Sequence, residues 1–290
     1  MGPIVAFLIG GACNLTAAAV GGRFAWPLSL AALALPFFED APPGLLFVHA
    51  TILGVQAIRN VEIARFPDRW SRGARLVRVA LLYETDAMKR VPPAAPIAAI
   101  ALGAVLALAS AAALLFSARA APPTTPYALA GWPRWIGTIA SGYLLLEGWG
   151  RIWTATPRFF GWHHPPLQRS PILSRSLAEF WGVRWNTVIG RLLKRNAYDP
   201  LAKRRAPRLG VLAAFALSAA LHAYTTLPAA GATAAAWMGS FFLAHGVLSL
   251  VEARLGVRRW RPIAARAFVV FVFVATIPPF AESFLRSFLP

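Results

Sequence analysis

Apolar residues run in long unbroken stretches, separated by short polar segments dense in arginine. Eight such stretches can be read, at about 3–20, 24–38, 42–58, 95–117, 133–152, 209–226, 232–252 and 267–285. Most approach the ~20 residues that a helix needs to cross hydrocarbon. The pattern predicts an all-α, polytopic membrane bundle of about eight transmembrane helices. The stretch 24–38 is short and meets Pro36 near its end, which predicts a tilted, broken or re-entrant helix. Two polar stretches are long enough to carry structure. Residues 68–90 set Trp70, Leu76, Val77, Val79, Leu81, Leu82 and Tyr83 among several arginines, the pattern of an interfacial amphipathic helix. Residues 170–198 also read as helical, with Ser174 or Ser176 as cap, Glu179 in the first turn and Asp199-Pro200 as the stop. Residues 153–171, rich in Pro, His and aromatics, read as an ordered loop. No internal repeat or low-complexity linker divides the chain, so one domain over 1–290 is expected.

Composition strengthens the membrane reading. The 290 residues are 58% hydrophobic and 14% charged, against about 25% charged in soluble domains; mean hydropathy is +0.57. A net charge of +18 could suit nucleic acid. Here the basic residues fall between apolar runs, as cytoplasmic loops and lipid-headgroup contacts do, so membrane lipids and no nucleic acid are expected as partners. With residues 59–90 in the cytoplasm, eight alternating spans put Arg23, 151–208 and 254–266 on the same side. Of the 29 lysines and arginines only Arg119, Arg134 and Arg286 then face outward, along with Glu39 and Asp40. Both termini are expected outside. Lys89, Lys194 and Lys203 are the only lysines; this bias toward Arg, with abundant Ala, Gly and Pro, suggests GC-rich bacterial coding and a bacterial inner membrane. Cys13 is the sole cysteine, which excludes disulfides within the chain and thiolate clusters. The start of the chain lacks a basic n-region, so the first run is expected to remain a membrane helix.

The chemistry concentrates in one third of the chain. Residues 176–186, Ser-Leu-Ala-Glu-Phe-Trp-Gly-Val-Arg-Trp-Asn, are aromatic, basic and amidic at once. Further on, Ser218-Ala219-Ala220-Leu221-His222 puts an imidazole inside an expected span. Polar ionisable groups are costly there, which makes each a functional candidate. Taken singly, His222, His245 and Glu147 read equally well as catalytic groups or as structural ones, Asn186 as a capping amide, and His49 as structural. His163-His164 has no third ligand at a useful spacing, so no metal site is expected.

Together these segments resemble the plant-type wax synthase group of the membrane-bound O-acyltransferase superfamily. Residues 176–186 resemble its S-L-x-D/E-F-W-G-x-R-W-N motif, and Asn196-Ala197-Tyr198-Asp199-Pro200 its Tyr and Pro tail. Ser218 to His222 resembles its S-G-x-x-H motif, and Phe241-Phe242-Leu243-Ala244-His245-Gly246 with Glu252 its F-x-x-H-G segment. Order and spacing match over about 157–252. Ala223 stands where the group often has Glu, and the first 150 residues carry no specific match.

The resemblance implies a buried reaction chamber built on His222 and Asn186. A neutral imidazole in a low-dielectric hollow can act as a general base toward an acceptor hydroxyl. Asn186 could orient the reactants or donate to the developing oxyanion. Ser218, one turn before His222, could bond the ring and fix its tautomer, or simply pack as a small residue. His245, Trp181 and Trp185 are expected to line the chamber. Acyl-CoA is the expected co-substrate, its phosphates met by Arg184, Arg191, Lys194 and Arg195, with no other cofactor. The acceptor is expected to be a lipophilic alcohol or a small metabolite; the oligomeric state is open. A transporter or channel is the alternative from another class, and a catalytically inactive lipid-binding scaffold a third.

Overall fold

The computed structural model describes residues 1–21 and 25–289, so the expectation for Arg23 falls outside the described residues. The eight apolar stretches are all helical within them. The helices are α1 (Pro3–Val20), α2 (Ala25–Ala32), α3 (Pro43–Arg65), α4 (Arg72–Ala80), α5 (Ile97–Ala120), α6 (Trp132–Ala155), α7 (Leu177–Glu179), α8 (Thr187–Leu193), α9 (Asp199–Ala202), α10 (Pro207–Leu255) and α11 (Pro262–Phe288). The protein is an all-α, multi-pass integral membrane bundle. α1, α3, α5, α10 and α11 are each long and apolar enough to cross a bilayer. α10 supplies two crossings. Its 49 residues reverse at Gly231, whose φ of 81° and ψ of 176° lie where only glycine is comfortable. Its two arms pack together: a Cβ added at Gly246 would meet Phe215, and one at Gly239 would touch Ala223. α2 is short and continues into a 3₁₀ turn at Leu35–Phe37.

Contacts at the helix ends match the alternating order. At the outer end, Phe47 near the start of α3 meets Phe284 and Phe288 near the end of α11, at 5.8 and 5.2 Å. Glu282 accepts from Trp135 Nε1 at 3.0 Å and pairs with Arg134 at 3.3 Å and Arg286 at 3.1 Å. Two of the three basic residues assigned outward thus share one buried carboxylate. Glu39 was assigned to the same side. Its carboxylate bonds His49 Nδ1 and is almost wholly buried.

α5 and α6 form a close hairpin. Ser110 and Ser141 each donate to the other's carbonyl at 2.9 Å. A Cβ on Gly103 would fall 2.7 Å from the Gly148 carbonyl, so small residues set this approach.

At the end expected to face inward, the stretch expected as an amphipathic helix over 68–90 is α-helical only over α4, with a 3₁₀ turn at Thr85–Ala87. Arg78 turns inward and is fully buried. It joins Arg59, Glu62, Glu84 and Arg195 in one ion cluster. Arg195 pairs with both carboxylates, Arg59 with Glu84 and, at 3.5 Å, Glu62, and Arg78 with Glu62 at 3.0 Å. Burial alone would raise the Glu84 carboxyl, but Arg59, Arg195 and Arg78 outweigh it and hold it down at about 2. A short antiparallel ribbon, β1 (Lys89–Arg90) with β2 (Trp162–His163), ties the two inner loops together.

Candidate active site

The Trp-rich motif is not one helix. Ser176, rather than Ser174, caps it by accepting from Glu179 N at 2.9 Å. Glu252, from the end of α10, accepts from Leu177 N and Ala178 N, so a carboxylate satisfies the first free amides of α7. The chain then widens into a π-helical turn over Phe180–Arg184, a form that recurs at functional sites. It breaks at Asn186, which takes a left-handed φ of 37° and restarts the chain as α8. A second π turn spans Lys194–Tyr198. Asp199-Pro200 does not stop the helix but opens α9, because proline is tolerated in a first turn.

Asn186 is anchored at two points. Its Oδ1 caps α8 by accepting from Ile189 N at 3.2 Å, and its own N–H donates to Gln168 Oε1 at 3.0 Å. Its Nδ2 makes no hydrogen bond among the described residues. The stretch expected as a loop over 153–171 begins instead as the end of α6 and a 3₁₀ helix at Thr156–Phe160, and only then runs as a strap along the motif. Thr187 N donates to the Leu167 carbonyl and Thr187 Oγ1 to the Pro166 carbonyl, both at 2.9 Å, while Arg169 N donates to the Arg184 carbonyl at 2.9 Å. His164 is held in a Tyr83–Trp153 pocket. Its Nδ1–H donates to the Pro165 carbonyl at 2.7 Å and its Nε2 accepts from Glu84 N at 3.3 Å; burial depresses its basicity. His163 stays in the β2 ribbon.

The ring of His222 makes one decisive contact. A carbonyl oxygen can only accept, so its Nδ1–H donates to the Ser218 carbonyl at 2.8 Å. The Ser218 hydroxyl, considered for this task, stands at 3.5 Å. Nδ1 carries the proton, and Nε2 keeps its lone pair with no partner among the described residues. The imidazole lies against Phe242, centroids 3.9 Å apart. Phe242 meets Trp181 at 5.8 Å, and Trp181 meets Trp185, next to Asn186, at 6.3 Å. Aromatic packing therefore joins His222 to the motif. His245, fully buried, receives Trp181 Nε1–H at Nδ1 (3.0 Å) and faces Thr276 Oγ1 from Nε2 (2.9 Å).

The expected phosphate ligands are differently disposed. Arg184 pairs with Glu179 at 2.7 Å and Lys194 with Asp199 at 2.5 Å. Arg195 is committed to Glu62 and Glu84, which raise its affinity for its proton against the opposing effect of burial. Arg191 keeps one buried nitrogen without a partner among the described residues. Glu147 pairs with Arg151 at 2.7 Å. A cavity of about 430 Å³ lies between the start of α5, the end of α6 and the strap; neither Asn186 nor His222 lines it. Glu62, Glu84, Gln168, Thr276 and Glu282 were not singled out from sequence. The scarcity of acids, 11 Asp and Glu in the chain, was the available signal for the three glutamates; nothing in the sequence marked Gln168 or Thr276.

Comparison with known proteins finds likenesses centred on the strap, the motif and α10. The model of the membrane bound O-acyl transferase family matches residues 164–244. Two probable long-chain-alcohol O-fatty-acyltransferases of Arabidopsis thaliana are 33% and 31% identical, over 42% and 35% of this chain and 40% and 32% of their own lengths. A long-chain-alcohol O-fatty-acyltransferase of Simmondsia chinensis is 32% identical over 30% of this chain and 27% of its own length. The chain therefore resembles the wax synthase-like group over less than half the length of these relatives.

Proposed function

We propose that this chain transfers an acyl group from acyl-CoA to the hydroxyl of a lipophilic alcohol or small metabolite, forming an ester. The observation that carries this reading is the Nδ1–H bond of His222 to the Ser218 carbonyl, which leaves Nε2 as a base. Nε2 takes the proton of the acceptor hydroxyl while its oxygen attacks the thioester carbonyl. The tetrahedral intermediate expels the thiolate of CoA, which recovers the proton from His222. Asn186 Nδ2 donates to the oxyanion, a role worth about 3 kcal/mol in other enzymes. The reaction chamber in this reading lies in the aromatic cluster between His222 and the motif, walled by Trp181, Trp185, Ser218 and His245. Arg191 is the cation of the motif helix best able to meet a phosphate. No cofactor beyond the co-substrate is invoked, and the chain acts as one domain.

The long-chain-alcohol acyltransferases it resembles support the class of acceptor. The basic loops face the cytoplasm in this reading. The bacterial inner membrane rests on composition alone, and the plant relatives lend it no support. The test is to purify the protein in detergent, add labelled acyl-CoA with a panel of alcohols and sterol-like hydroxyls, and compare wild type with His222→Ala. Ester formed by wild type and lost in the variant is expected. Solute flux in liposomes without ester from any pair would favour a transporter.

A further inference from the structure

The cavity beside the strap takes no part in the chemistry assigned to His222. Among its lining groups are Ala99, Glu147, Arg151, Arg158, His163 and Gln168. Gln168 is the informative one. The Asn186 N–H can only donate, so the amide oxygen of Gln168 must face it. Nε2 is thereby turned away, and it is buried with no partner among the described residues; the residue is only 9% exposed. Two N–H donors left unmet in a buried amide are costly unless a ligand meets them. In the lining, Arg151 pairs with Glu147, and Arg158, with no ion pair among the described residues, adds a cation. The cavity volume is within the range of small-molecule sites.

The matching ligand is elongated, with an anionic phosphate at the mouth and a carbonyl acceptor further in. We propose that this cavity holds the phosphopantetheine arm of the acyl donor, with Gln168 Nε2 donating to an amide carbonyl of the arm and Arg158 facing its phosphate. This rests on the acyl-transfer reading. Gln168 would then bind the donor with one end of its amide and hold the Asn186 peptide with the other. Occupancy of the cavity and placement of the amide at the reacting carbonyl become one event.

The test measures binding of labelled CoA to the full chain in detergent, alongside ester formation by the same preparations. Gln168→Glu keeps an acceptor for Asn186 N–H and deletes the Nε2 donors. Ala99→Phe fills the cavity from α5 without touching a polar group. Each is expected to weaken CoA binding about tenfold or more and to raise KM for acyl-CoA, with melting temperature retained. Phosphopantetheine is expected to compete better than pantetheine. Unchanged CoA affinity in both variants overturns the assignment, even if ester formation continues. Displacement of CoA from neither variant nor wild type by phosphopantetheine, with short-chain phosphatidylglycerol binding lost in Ala99→Phe, overturns it in favour of a lipid headgroup. Wild type that binds CoA in a cavity-dependent way but forms no ester supports the cavity and removes the acyl-transfer reading alone.

Discussion

Trp181 Nε1–H donates to His245 Nδ1 at 3.0 Å, across the gap between the motif and the second arm of α10. With Nδ1 accepting, the ring proton must sit on Nε2, where it meets Thr276 Oγ1. Both nitrogens of His245 are bonded, whereas His222 Nε2 has no partner among the described residues. Under the proposed function these partners make His245 a brace and leave His222, on the other arm of α10, as the base. Trp181→Phe keeps the ring packing and removes the donor. It is expected to lower the melting temperature by the equivalent of about 1–3 kcal/mol. Thermal unfolding in detergent measures it, and an unchanged midpoint would show that the bond contributes nothing.

His222→Ala and His222→Gln should each lower kcat by about 10²–10⁴, the usual contribution of a general base. Intact size-exclusion profiles would show that the bundle survives. Retained turnover in His222→Gln would move the base elsewhere.

Asn186 combines a capping oxygen with a free amide nitrogen. Asn186→Asp preserves an acceptor for Ile189 N and loses the donor, so it should melt near wild type yet lose activity. Asn186→Ala loses both and should also cost about 1 kcal/mol as a missing cap. Comparing kcat with melting temperature across the pair separates the roles; equal activity in Asp and wild type would reduce Asn186 to a cap.

The inner ion cluster sets an acid limit. The Glu84 carboxyl titrates at about 2 when folded, against 4.5 for an ordinary glutamate. The unfolded chain therefore takes up this proton first as pH falls. The stabilisation is complete above about 4.5 and drains away toward 2. Melting midpoints between pH 7 and 3 should decline, and the decline should be shallower in Glu84→Gln. At neutral pH that variant should lose about 3–5 kcal/mol, because Arg59, Arg78 and Arg195 remain with too few carboxylates.

The helices of the bundle were legible because their signal is a continuous run of apolar side chains, which a bilayer demands and a loop cannot imitate. The reversal at Gly231 fell in the gap read between two stretches. The motif region was legible as chemistry and not as shape. Its break at Asn186 depends on a left-handed backbone that is secured by Gln168, eighteen residues earlier. Arg78 looked like one more interfacial arginine, since amphipathic spacing does not reveal that two distant glutamates will draw it inside. Likewise nothing near Glu282 in sequence foretells Arg134.

The turn at Gly231 also fixes depth. His222 lies nine positions before it, about 13 Å along the helix axis at 1.5 Å per residue. With Gly231 set at the edge of hydrocarbon ~30 Å thick, the ring would lie close to the midplane. Under the proposed function, an alcohol dissolved in either leaflet would have a similar distance to travel, and its hydroxyl would be one that a lipid can carry inward.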